Sequence, residues 1–193
     1  MIKYSKIIVF LICLWPIYSI LYLILSESLG AEPVKKITHH FGEWTLIFIC
    51  LTLSMSPLKK ITNSFVWIRY RRMLGLFVFF YATIHMLTYV GLDYWFDWNP
   101  IINDVIKKKY IFAGFFAWLL LIPLAATSSQ KMVKLLKRNW KRIHRLIYVV
   151  AILGILHYIW LSKTIFFGPI IYLIIIIILF LFRINFNKSS TKI

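Results

Sequence analysis

Residues 68–89 read IRYRRMLGLFVFFYATIHMLTY: three arginines, then a long apolar run with a single histidine, His85, deep inside it. An ionisable side chain within a membrane-length hydrophobic run is costly to bury, and such residues mark functional sites. Residues 141–160, KRIHRLIYVVAILGILHYIW, follow the same design, with His144 at the basic end and His157 deep in the apolar part. These two stretches decide the reading of the chain.

The composition agrees with a membrane setting. Of 193 residues, 61% are hydrophobic and the mean hydropathy is +0.81, whereas soluble domains are closer to half apolar. The net charge of +17 does not indicate a nucleic-acid partner. Its cations fall in short clusters between apolar runs, and no zinc-finger or RRM motif accompanies them. Cys13 and Cys50 both lie in apolar runs, which indicates neither a disulfide framework nor a thiolate metal site. Lys3 and Lys6 precede an apolar stretch, Ile7–Leu25, that is too long for a signal-peptide core and has no small-residue cleavage site after it. It is read as a transmembrane helix.

Six apolar segments follow from the pattern, over about 7–25, 40–57, 73–91, 110–126, 146–161 and 166–182. None alternates with period two, and in lipid each must satisfy its own backbone, so each is expected to be a helix. The fold class is therefore an all-α integral membrane protein, a six-helix bundle forming a single domain over residues 1–193. Most of the 23 Lys and Arg lie before the first segment, between the second and third, between the fourth and fifth, and after the sixth. All six acids fall on the other side, five in the outer connections and Glu43 near the outer mouth of the second segment. The positive-inside rule places both termini in the cytoplasm. The longest outer connection, GLDYWFDWNPIINDVIKKK over 91–109, is expected to be a loop. Its Tyr94, Trp95, Phe96 and Trp98 read as an interfacial aromatic belt, with a docking surface as the alternative. The short link between the fifth and sixth segments predicts antiparallel neighbours. No internal repeat, Gly-rich phosphate loop or low-complexity linker is apparent.

The histidines separate by depth. His85 lies 13 residues beyond Arg72 and His157 lies 12 beyond Arg145. At the helical rise these are roughly 20 and 18 Å from the cytoplasmic boundary. Two antiparallel helices offering imidazole at one level form a bis-histidine haem site, since haem iron takes one axial ligand on each face. A b-type haem is implied because no C-x-x-C-H motif is present. His144 is 13 residues before His157, about 220° round the helix, and sits at the boundary with Arg71 and Arg72 at its level. Those arginines suit haem propionates or a flavin phosphate, and equally well serve as topology anchors. His39 and His40 read as wetted interfacial residues.

GAEPVKKITHHFGEW (30–44), the stretch 68–89, and TSSQKMVKLLKRNWKRIHRLIYVVAILGILHYIW (127–160) resemble, in order and spacing, the signatures of the MsrQ (YedZ) family. The resemblance implies a ferric reductase-like transmembrane domain in a bacterial inner membrane, carrying haem b and FMN. It implies electrons from the quinone pool or a cytosolic flavin reductase. They would pass to a periplasmic molybdopterin-containing subunit that reduces methionine sulfoxide in oxidised proteins. The family's functional histidines fall on His85, His144 and His157, and its arginine pair on Arg71 and Arg72. The wider ferric reductase group carries two histidines on each of two helices for two haems. Here the inner histidine of the third segment is lacking, so one haem is expected and a second is in question. Two other functions fit parts of the pattern: a stand-alone ferric or quinone reductase, and a proton-coupled transporter with a histidine relay.

Overall fold

The computed structural model describes residues 2–162 and 168–189, and among these the chain is all helical. The first apolar run is broken in two, α1 (Ile2–Cys13) and α2 (Trp15–Leu25), with a 40° bend. The sequence reading expected one helix; Pro16, in the first turn of α2, has no N–H to donate and ends the preceding ladder. The Cys13 carbonyl at the break accepts a 2.6 Å hydrogen bond from Tyr81 Oη. The Pro16 carbonyl accepts from His40 Nε2 at 3.0 Å and from Ser19 Oγ at 3.0 Å. His40 is therefore a structural clasp, half-buried between helices, rather than the wetted interfacial residue expected.

Helix α3 (Pro33–Thr62) and helix α4 (Val66–Thr88) form a tight hairpin, each longer than the sequence pattern indicated. Asn63 closes α3 in the left-handed conformation, a common way for a helix to stop. Lys59 then caps the Phe65 ring at 4.0 Å, and Trp67 donates to Thr62 Oγ1. The arginines 69, 71 and 72 thus lie inside α4 rather than ahead of it. Phe41, Phe48, Phe77 and Tyr81 stack between the two helices at centroid spacings of 5.3–6.0 Å. Tyr81, Leu53, Val78 and Ala151 are fully buried. Helix α4 passes into a π-helical turn, Tyr89–Asp93.

The connection expected to be a loop contains α5 (Trp98–Lys107), whose N-cap Asp97 accepts from the Asn99 amide. Its amphipathic pattern buries Ile101 and Asp104. Helix α6 (Lys109–Ala126) returns along α4. Two short helices, α7 (Gln130–Leu136) and α8 (Arg138–His144), lead through a turn at Arg145 into α9 (Leu146–Leu161). Helix α10 (Pro169–Ser189) packs against α3 and α9. The expected tight turn before it falls largely on residues outside those described. Pro57 cannot donate to the Leu53 carbonyl four residues back, and Arg183 of α10 fills that vacancy at 3.1 Å while also bonding the Tyr148 hydroxyl.

Among the described residues, four helical stretches are long and apolar enough to cross a membrane, one of them α8 and α9 together (Arg138–Leu161), and the bent α1–α2 pair makes a fifth; α10 adds a shorter apolar helix over Pro169–Arg183. Their outward faces, such as Ile174, Ile178 and Leu181 on α10, are exposed and apolar, as lipid contact requires. The chain is a multi-pass membrane protein.

Candidate functional site

Helices α3, α4, α5, α6 and α9 enclose a cavity of about 1030 Å³. That is the size of a pocket for a large organic cofactor. One end is apolar, walled by Leu46, Ile49, Leu121 and Val150. The other end, under α5, is polar, with Lys35, His39, Asp104 and Lys108. His85 from α4 and His157 from α9 face each other across it, their ring centroids 5.9 Å apart and their planes at 82°.

Both rings are held alike. His85 Nδ1 lies 2.8 Å from the Thr38 carbonyl, and His157 Nδ1 lies 2.7 Å from the Tyr110 carbonyl. A carbonyl only accepts, so each Nδ1 carries the proton and each Nε2 keeps its lone pair. This is the orientation by which an outer hydrogen bond fixes a metal-ligating histidine. Each ring also rests on a glycine one turn beyond its carbonyl partner. A Cβ at Gly42 would meet His85 Cε1 at 3.0 Å, and one at Gly114 would meet His157 Nδ1 at 2.8 Å. With a metal–imidazole bond of about 2.0 Å and about 1.2 Å from nitrogen to ring centre, two axial imidazoles have centroids about 6.4 Å apart. The observed 5.9 Å is about 0.5 Å short of that, so one iron would enter between the two neutral imidazoles with a small outward shift of the rings.

The two halves repeat one arrangement at the site. Adding 72 to Thr38, Gly42 and His85 gives Tyr110, Gly114 and His157. The hairpin α3–α4 therefore corresponds to the antiparallel pair α6–α9. Contacts between the halves are reciprocal to within one residue: a Cβ on Gly154 of α9 would meet Leu46 of α3 at 3.3 Å, while Trp118, the counterpart of Leu46 on α6, donates to Thr83 on α4, next to Ala82, the counterpart of Gly154. Reciprocal contact is the mark of a two-fold axis. The sequence reading found no repeat; here the repeat lies in positions and contacts, with few identities to betray it.

The other expected site residues do not line this cavity. His144 ends α8 at the basic end of the bundle, with its ring stacked on Trp140 at a centroid distance of 4.1 Å. Its Nε2 is 3.2 Å from Thr127 Oγ1, and that hydroxyl already gives its proton to the Pro123 carbonyl, so His144 Nε2 is the donor. His144 and His157 stand near opposite ends of one helical stretch, Arg138–Leu161, so the two histidines serve different regions. Arg71 is half-buried within electrostatic reach of His144, Arg183 and Tyr148, whereas Arg72 is exposed. Under α5, Asp104 Oδ2 accepts from Lys108 Nζ at 2.7 Å, Tyr94 Oη at 2.6 Å and Tyr89 Oη at 3.1 Å. Burial pushes the Asp104 carboxyl up, but these three donors outweigh it and hold the group below the ordinary carboxylate range. Tyr94 thereby leaves the expected aromatic belt; Trp95, Phe96 and Trp98 remain exposed.

Residues 40–155 match the family described as "Ferric reductase like transmembrane component". A protein of Xanthomonas oryzae pv. oryzae (strain MAFF 311018) is 47% identical over 167 residues, 86% of this chain and 76% of its own length. One of Herminiimonas arsenicoxydans is 45% identical over 182 residues, covering 93% and 84%. Both are named "Protein-methionine-sulfoxide reductase heme-binding subunit MsrQ". The chain belongs to the MsrQ family. No solved structure gives a significant match to it. The family model's span takes in His40, His85 and His144 and stops two residues before His157, so its end divides the facing pair.

Proposed function

We propose that this chain is a haem b-carrying electron-transfer subunit of the bacterial inner membrane, with six spans and both termini in the cytoplasm. His85 and His157 serve as the axial ligands of one haem. The observation that carries this reading is the pair of imidazoles, each with Nδ1 fixed on a backbone carbonyl, that line one cavity 5.9 Å apart. When bound, the haem supplies a one-electron couple. The protein positions and tunes it. Thr38 and Tyr110 hold the rings, Gly42 and Gly114 admit them, and Leu46, Ile49, Leu121 and Val150 exclude water from the apolar end.

Electrons come from quinone or a cytosolic flavin reductase and leave for a periplasmic molybdopterin-containing methionine sulfoxide reductase, whose action repairs oxidised proteins. The names of the relatives support the acceptor's class. FMN, if carried, finds its cations at the basic end, where Arg71 lies near His144. A bis-imidazole b-type spectrum of the purified protein, abolished in both His85→Ala and His157→Ala, is the expected result. Full haem content in both variants would refute the ligand assignment. Reduction of ferric chelates with no transfer to a periplasmic partner would favour the stand-alone reductase instead.

A further inference from the structure

The two-fold relation constrains how a planar cofactor sits between the two histidines. An axis that exchanges the axial ligands must run perpendicular to the line joining them, and so lies in the porphyrin plane. Here it runs along the helices, as in membrane proteins built from parallel repeats. The porphyrin then stands on edge, with one edge at the apolar end of the cavity and the opposite edge under α5. A haem b has two propionates side by side on one edge, and a two-fold through that edge exchanges them. Each propionate is therefore expected to meet the same kind of group from each repeat.

Such groups are present. Adding 72 to Glu32 gives Asp104, and each acid holds a lysine a turn further on, three residues along in the first repeat and four in the second, so the two lysines are one position out of register and occupy similar rather than identical places. Lys35 Nζ lies 2.7 Å from Glu32 Oε2, and Lys108 Nζ lies 2.7 Å from Asp104 Oδ2. Both lysines line the polar end of the cavity, and among its described lining residues they are the Lys and Arg present. An ammonium has three donors, and each ion pair takes one. Of the other acids lining the cavity, Glu43 accepts from Tyr172 on α10 and Asp93 ends the π-helical turn. Arg71 and Arg72 belong to the opposite end and do not line the cavity.

We propose that Lys35 and Lys108 are the two propionate anchors of the haem held by His85 and His157, one from each repeat, with Glu32 and Asp104 steadying them. This rests on the haem reading above. It fixes the carboxylate edge toward α5 and the vinyl edge toward Leu121 and Val150.

The test uses full-length protein produced without haem and titrated in detergent with haem b and with its dimethyl ester, whose propionates are uncharged. Charge-assisted hydrogen bonds of this kind are each worth about tenfold in affinity. Wild type is expected to bind haem b at least about tenfold more tightly than the ester. Lys35→Met/Lys108→Met should lose that preference, bind the ester as wild type does, and keep the bis-imidazole spectrum. Lys35→Arg/Lys108→Arg should restore the preference. Haem b bound by the Met pair as tightly as by wild type overturns the assignment. So does a Met pair that loses haem b and ester alike with no recovery in the Arg pair. A wild type that takes up neither porphyrin sinks the haem reading itself, and the anchors with it.

Discussion

Replacing Gly114 by alanine tests the ligand clamp with a single methyl group. The added Cβ would sit 2.8 Å from His157 Nδ1 and 3.0 Å from Cε1, well inside van der Waals contact. To reach an ordinary separation of about 3.4–3.5 Å the ring must retreat by roughly 0.6 Å. That carries Nδ1 from 2.7 Å to about 3.3 Å from the Tyr110 carbonyl, at or beyond the limit of a good N–H···O bond. The lost bond costs about 1 kcal/mol, partly offset by the roughly 0.5–1 kcal/mol that alanine gains over glycine in a helix. Global stability should therefore change little. Haem affinity should fall 10- to 100-fold, the usual effect of disturbing the partner of a metal-ligating histidine. Gly75→Ala is the control, because its Cβ would meet Thr52 Cγ2 at an unstrained 3.8 Å. Haem titration followed by the Soret band reads the difference, with thermal unfolding alongside. Wild-type haem affinity in Gly114→Ala would refute the claim that the clamp is tight enough to matter.

Further predictions follow from the same contacts. Gly42→Ala should act on His85 in the same direction but more weakly, since its closest approach is 3.0 Å rather than 2.8 Å. His144→Ala should retain the bis-imidazole spectrum, because His144 lies outside the cavity on Trp140 and Thr127; loss of haem measured by pyridine haemochrome would contradict this. Tyr81→Phe removes the clasp on the Cys13 carbonyl and should lower stability by about 1 kcal/mol in a thermal melt. Asp104 has a lowered pKa, so its contribution is complete above the ordinary aspartate range and is lost as pH falls through its depressed value. Lys108, raised chiefly by its bond to Asp104, contributes below the ordinary lysine range and fails only as pH rises through its own raised value. Fluorescence of Trp95 and Trp98 should therefore stay flat across neutral pH and change on acidification, and Asp104→Asn should remove that transition.

How much of this was legible in the sequence depends on the kind of signal involved. Hydropathy located the apolar helices, because apolar length and flanking charge are properties of single segments. Depth from the basic ends brought His85 to His157, because helical rise is fixed whatever the neighbours do. What a side chain finds across a helix interface was not legible. His40 looked interfacial because nothing in its own segment reveals that Pro16, 24 residues earlier, leaves a carbonyl needing a donor. The amphipathic α5 was hidden by its aromatics and by Pro100, which read together as a loop.

The repeat shows the same limit most sharply. A duplicated hairpin need preserve only the places where backbones approach and where a carbonyl is offered. Any residue supplies a carbonyl, so Thr38 can correspond to Tyr110, and bulk on the lipid face is free to change. The positions that cannot drift are those with no alternative chemistry: the imidazoles at 85 and 157 and the missing side chains at 42 and 114. In each half the glycine precedes the histidine by 43 residues, and the carbonyl precedes it by 47. A comparison weighted toward identity sees the glycine and histidine pairs among a few other scattered matches in a long alignment and discards them. A comparison asking which glycine a given histidine must rest on recovers the two-fold from those same pairs, and with it the plane in which a cofactor can lie.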